Sequence, residues 1–321
     1  MSTLFVSLAS GWAVVVAIWL VAIPRQRLRW ADYVYPLLPC AAVLAYAWVS
    51  TSGAAASLEA ARILYLALAA AAAIWVFVSL VWLASLAKRD ASIMDIAYPL
   101  VPVVAVAVVA VLPGGIGAHA WLVLGAAALW AFRLSIYIGA RNLPHGEDAR
   151  YAKWRVRFGA KWWWWSYFQV FVLQGVLVWL WSVPLFFALA VPQAQIAGND
   201  WLGLAVLLVG VVFEAGADWQ LARHRADPQN RGKILQSGLW GISRHPNYFG
   251  EALVWWGFFF FALAHPWGWI AILSALYVTW FMNQGSATKM TDAYMHKHRP
   301  DYAEYAARVP AFFPRLWKSR K

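Results

Sequence analysis

Residues 236–264 read QSGLWGISRHPNYFGEALVWWGFFFFALA. Gly238 and Gly241 make a flexible approach, Ser243 stands near a cap, and Pro246 sits in a first turn where its missing N–H costs nothing. A helix therefore begins at about His245. From Ala252 to Ala264 it carries no charge, the composition of a segment surrounded by lipid or by other helices. Asn247, Glu251 and Trp255 follow at four-residue steps and share one face. The free N–H groups and positive dipole end make the helix start an anion site, to which Arg244 adds a full charge. Glu251 lies about one turn inside.

The rest of the chain has the same character. Of 321 residues, 63% are hydrophobic and only 12% charged, with 24 tryptophans, and mean hydropathy is +0.58. A soluble domain is roughly half apolar and a quarter charged, so the composition points to a polytopic, all-α membrane bundle. In a soluble protein the net charge of +12 would suggest nucleic acid; here a membrane surface accounts for it, and no nucleic-acid partner is expected. Cys40 is the sole cysteine and lies in an apolar run, which leaves no disulfide frame.

Apolar runs predict helices near 4–23, 33–50, 63–87, 93–112, 120–140, 164–191, 201–222, 248–264 and 267–284, about nine spans if each crosses. The first run lacks a basic leader and a small-residue cleavage site, so it reads as a retained helix. Residues 1–87 form the N-terminal helices and 88–321 the remainder of one continuous bundle. Basic loops alternate with weakly charged ones: Arg25 to Arg29, Lys88 and Arg89, 141–161, 223–244 and the tail from Lys289 are basic. By the positive-inside rule the N-terminus is outside and the C-terminus cytoplasmic. All the candidate chemistry then falls on the cytoplasmic side. Trp162 to Trp165 read as an interfacial belt, and Pro184 as a kink in the sixth span.

Glu214, Asp218, Leu221 and Arg225 occupy one helical stripe. A snorkelling helix end explains them, but an acid at the depth of Asp218 usually has a task. The loop that follows carries Arg223, Arg225, Arg231, Lys233 and Arg244, a set that suits anionic lipid or a phosphate-rich ligand. Arg133 lies about two turns inside the fifth span, one helical step from Tyr137, with Arg141 and Asn142 near its interface. Asp95 and Tyr98, three apart, read either as an acid and phenol able to polarise a carbonyl or as a capping pair. Asp32 with Tyr33 and Tyr35 is a weaker set, and Glu147 and Asp148 read as a solvated loop. The histidines show no metal-binding spacing, and no nucleotide loop of the soluble type appears.

SRHPNYFGE followed by Trp255 resembles the C-terminal domain of the steroid 5-alpha-reductase family, and its bacterial multi-spanning branch in particular. The resemblance covers residues 88–314. Asp218, Arg225, Lys233, Asn247, Glu251 and Trp255 stand at the spacing of the positions with which that family surrounds NADPH inside the membrane. The tail DAYMHKHRPDYAEYAARVPAFFP also matches, with Tyr294 at a cofactor-contacting tyrosine. The resemblance implies an NADPH-dependent reductase that passes hydride to the C=C of an enone in a flat lipophilic substrate entering from the bilayer. Arg141, Asn142, Arg244, His245 and Tyr248 complete the implied cofactor set, and Asp95 and Tyr98 the implied proton donor. The family's Gln-Glu pair is absent, Trp130 stands where it has a catalytic tyrosine, and Glu214 where it has an asparagine. RHPxYxG is shared with isoprenylcysteine and phospholipid methyltransferases, which use S-adenosylmethionine. Those carry paired glutamates after the last span, where this chain has Ser286, Ala287 and Thr288. Reductase, methyltransferase and a non-catalytic membrane protein are the three classes the sequence leaves open.

Overall fold

The computed structural model describes residues 54–110, 116–191 and 194–315. Every regular element among them is helical. The helices are α1 (Ala54–Lys88), α2 (Ile93–Ala97), α3 (Val101–Ala110), α4 (Ala118–Asn142), α5 (Ala149–Phe158), α6 (Trp162–Ser166), α7 (Leu173–Trp181), α8 (Val183–Leu189), α9 (Gly198–Ala226), α10 (Pro246–Ala262), α11 (Ile272–Asn283), α12 (Ser286–His298) and α13 (Tyr302–Arg308). They form two compact units that divide between Gln195 and Ile196.

Three helices are long and apolar enough to cross a membrane, Glu59–Lys88, Ala118–His145 and Gly198–Ala226, and a fourth span results if Ala149–Trp181 and Val183–Leu189 count as one bent segment. The described residues are thus all-helical, with the apolar helices of a membrane protein. The predicted segments 4–23 and 33–50, with Asp32, Tyr33, Tyr35 and Cys40, lie outside the described residues. The other seven fall mainly on helix, with ends moved by a few residues. At 17 residues α10 is only about 25 Å long, short of the roughly 30 Å of hydrocarbon it would have to cross.

In the first unit α1 packs on α3, and α3 on α4, around Ile74, Met94, Trp130, Phe171 and Leu185, all fully buried. Helix α1 is followed by a residue in the left-handed region, here Arg89 at φ 52° in place of the usual glycine. The Asp90 N–H then turns back to the Ser85 carbonyl. The long segment that starts with α5 runs through a π-helical stretch, Tyr167–Val172, and bends by 50° at its join to α8. Pro184 lies in the first turn after that join, where it leaves one fewer N–H to satisfy.

The second unit is built on α9 against α10. Along α9 the buried positions Asp200, Gly203, Leu207, Gly210, Glu214 and Ala217 follow alternate steps of three and four that keep one seam facing the partner, and Asp218 is buried beside the last of them. Every seventh residue of that seam is small. Gly250 and Gly257 repeat the spacing on α10. A Cβ on Gly210 would lie 2.6 Å from the Gly250 carbonyl oxygen, and one on Gly203 would lie 2.8 Å from that of Gly257. The helices therefore run antiparallel with their backbones touching. Between lipid-facing helices no hydrophobic force draws apolar surfaces together, so close packing at small residues has to supply the attraction. Val209 and Val212, on the opposite side of α9, are exposed.

A Gly210→Val substitution is expected to destabilise the protein by about 1–3 kcal/mol through overpacking. A Cβ added to Gly125 in α4 would meet nothing within 4 Å, and Gly125→Ala is expected to be neutral or slightly stabilising. Thermal unfolding of both variants in detergent checks the pair; equal losses would remove the special status of the seam.

Candidate functional site

The loop between α9 and α10 is held against the last turns of α9 before the second helix begins. Trp240 Nε1 donates to the Ala217 carbonyl at 2.9 Å, and the Leu239 N–H donates to Gln220 Oε1 at 3.0 Å. Gly238, at φ 61°, permits the turn, and a Cβ there would strike the Gln220 amide at 2.7 Å. Pro246 is the first residue of α10 and His245 its N-cap. Ser243 caps less directly than its spacing suggests: its hydroxyl accepts the His245 N–H and donates to the Phe312 carbonyl at 2.8 Å.

The glycine seam sets what lies beside this start. Carried one turn beyond the Gly210–Gly250 contact, the antiparallel register brings Glu214 level with the first turn of α10, and the Glu214 backbone N lies 2.6 Å from a Cβ built on Gly250. Glu214, Asp218 and Glu251 are 2%, 4% and 5% exposed, and Trp255 is fully buried. Buried carboxyl groups are costly to place, and those inside membrane-spanning segments commonly serve function. Asn247 Oδ1 is buried and has no hydrogen-bond partner among the described residues.

Of the expected phosphate cations, Arg225 and Lys233 are exposed, and the Lys233 carbonyl is paired with the His224 ring at 3.1 Å. Arg244 is differently employed. Its terminal nitrogens donate to the Ala306 and Val309 carbonyls, both at 2.9 Å, and to Asp292 Oδ2 at 2.6 Å. Its Nε is left without a partner among the described residues. His245 stacks on Tyr248, with ring centroids 5.2 Å apart and planes within 4°, and its Nε2 lies 2.8 Å from Asp292 Oδ1. Tyr302 also donates to Asp292. Tyr294 is exposed and stacks on His298 instead.

Asp292 is the residue that sequence spacing does not single out. Burial raises its pKa, but hydrogen bonds from His245, Tyr302 and Arg244 outweigh this and hold the carboxyl far below the usual carboxylate value. Burial and the adjacent carboxylate push the Tyr302 phenol above its ordinary range, so it remains a donor.

Asp95, Tyr98, Arg141 and Asn142 belong to the first unit. The phenol bonded to Asp95 is that of Tyr151, which donates to Oδ1 at 2.6 Å, while Arg150 donates to Oδ2 at 2.7 Å. Gln174 donates in turn to the Tyr151 oxygen at 3.3 Å. Tyr151, on α5, is 4% exposed. Glu147, read in sequence as part of a solvated loop, is instead held by partners: both its oxygens bind Arg155, and one accepts the Ala91 N–H. Burial by itself raises the Glu147 pKa, but these bonds outweigh it and leave the pKa lowered. Arg141 is exposed, with Nε on Asn142 Oδ1 at 2.9 Å.

A family model described as "Protein of unknown function (DUF1295)" matches residues 81–309, well over half of the chain. An uncharacterized protein of Schizosaccharomyces pombe is 28% identical over 216 residues, 59% of this chain and 61% of that relative. The match thus spans about three fifths of the relative's length. No solved structure matches.

The Asp292 cluster sets an acid limit to stability. A depressed folded pKa means that its contribution is complete above the unfolded value, about 3.9, and is lost as pH falls from there towards the folded value. Melting temperature followed from pH 6 to pH 3 is expected to fall more steeply for the wild-type chain than for Asp292→Asn. Parallel curves would show that the cluster does not contribute.

Proposed function

We propose that this chain, which belongs to the DUF1295 family, is a membrane-embedded NADPH-dependent reductase that transfers hydride to the C=C of an enone in a flat lipophilic substrate. The observation that carries the reading is the crossing of α9 and α10. It sets buried Glu214 beside Gly250 near the start of α10, the helix that carries Asn247, Glu251 and Trp255 on one face, while α9 bears Asp218 and Arg225 further on and the loop after it Lys233. A helix N-terminus with nearby cations suits the phosphates of a dinucleotide, and Asn247 and Glu251 suit the carboxamide of a nicotinamide. The carboxamide N–H₂ would donate to Glu251, and Asn247 Oδ1 would gain the donor it lacks. Arg244 and His245 contribute mainly by shape, since Asp292 already engages both.

In this reading the cofactor belongs to the second unit. The resemblance by itself assigns the proton required after hydride transfer to Asp95 and Tyr98; within the first unit the phenol bonded to Asp95 is that of Tyr151. The substrate is a lipophilic small molecule drawn from the bilayer. We read the topology as about nine spans with the N-terminus outside and the working face in the cytoplasm of a bacterial inner membrane, on the strength of the basic loops. The second reading is an S-adenosylmethionine-dependent methyltransferase, favoured by the RHPxYxG residues at Arg244 to Gly250.

Thermal unfolding of the purified full chain with each cofactor separates these readings. NADPH at 100 times its dissociation constant is expected to stabilise the protein by about 2.7 kcal/mol, and stabilisation by S-adenosylmethionine in its place would favour the methyltransferase. Stabilisation by neither would favour a non-catalytic protein. Glu251→Gln is expected to weaken NADPH binding about tenfold, or about 1.4 kcal/mol; unchanged binding and turnover would refute the placement of the nicotinamide.

A further inference from the structure

The C-terminal segment reads in sequence as a basic cytoplasmic tail, yet it is stitched along its length to the approach of α10. The Arg244 N–H donates to the Pro310 carbonyl and the Arg315 N–H to the Ile242 carbonyl, both at 2.9 Å. Tyr305 donates to the Trp240 carbonyl at 2.6 Å, and Arg308 to Gln236 Oε1 at 2.9 Å. Phe312 and Phe313 both pack edge-on against Phe249, in the first turn of α10.

At the centre of these contacts one carboxylate takes three side-chain donors. Asp292 receives Arg244 through Oδ2, and His245 and Tyr302 through Oδ1. The side chains of Arg244 and His245 are 11% and 4% exposed. An ionised carboxylate only accepts hydrogen bonds, so the His245 nitrogen facing it must carry a proton. That choice settles the tautomer of the ring, just as a carboxylate behind a metal-bound or catalytic histidine does. The same carboxylate draws the Arg244 guanidinium into the plane in which its other terminal nitrogen meets the Ala306 and Val309 carbonyls.

We propose that Asp292 is a positioning residue for the start of α10: by fixing the Nε2-protonated form of His245 and the orientation of Arg244 it makes the C-terminal segment part of the ligand-binding corner. Neither residue can then turn freely to meet an incoming anion. What the corner holds in one set arrangement is the Arg244 guanidinium, the stacked His245–Tyr248 pair and the start of α10. The identity of the ligand as NADPH rests on the function proposed above; the fixing of the ring does not.

The test uses the full chain in detergent, labelled with ¹⁵N-histidine, with the His245 signals assigned from a His245→Gln variant. Wild-type protein at neutral pH is expected to hold His245 with a proton on Nε2, and a ring protonated on Nδ1 alone would overturn the proposal without any variant being needed. Asp292→Asn is expected to release that preference and to weaken NADPH binding by about tenfold or more. A ring unchanged in Asp292→Asn would also overturn it. Arg308→Ala, which cuts an exposed contact between tail and loop, is expected to leave both ring and affinity as in the wild type; a loss of affinity equal to that of Asp292→Asn would show that the tail is only an anchor. If wild-type protein binds no NADPH, the reductase reading fails, while the histidine signals still decide the role of Asp292.

Discussion

The contact between the backbones of α9 and α10 at Gly203–Gly257 and Gly210–Gly250 is the constraint on which the second unit depends. Helices in lipid gain little from burying apolar side chains against one another, because the lipid is as apolar as they are. Removing the side chains brings the peptide groups within van der Waals distance and gives dispersion a large, well-matched surface. The register that results is also rigid, since slipping by one residue would drive a side chain into a carbonyl. Glu214 sits beside Gly250 as a consequence of that register.

A close crossing has a chemical consequence. It leaves little room for the Glu214 carboxyl group to swing towards water, and Asp218 and Glu251 are buried as well. Their cost is offset only by partners in fixed places. The loop after α9 is fixed in turn, since Trp240 and Leu239 bind the later turns of that helix and the C-terminal segment binds the loop. Asp292 closes this chain of dependence. Three donors converge on its carboxylate, two from the residues just before α10 and one from the start of α13.

Much of the architecture is open to reading from residue types. Apolar runs mark the helices, Pro246 marks a helix start, and Glu251 stands out as an acid in an uncharged segment. Spacing points to Tyr98 as the phenol for Asp95 because it is three residues away, whereas the bonded phenol, Tyr151, is 56 residues distant. Glu147 reads as a solvated residue because its neighbours are polar; it is drawn in by Arg155 and by the Ala91 N–H just beyond α1. Local spacing finds neighbours along one helix and is blind to partners supplied by another.

The sequence by itself determined the helical class, the apolar character, the helix start at Pro246 and the burial-prone acids, because those follow from side-chain chemistry and from a 3.6-residue period. Only the tertiary structure decided which groups meet. The seven-residue glycine spacing is present in the sequence on both helices, but its register becomes meaningful once the two backbones touch. The same holds for Asp292, an ordinary tail residue by composition. It becomes the hinge of the Arg244 and His245 arrangement because the fold returns the C-terminal segment to α10, where a carboxylate short of water is stabilised by every donor it can reach.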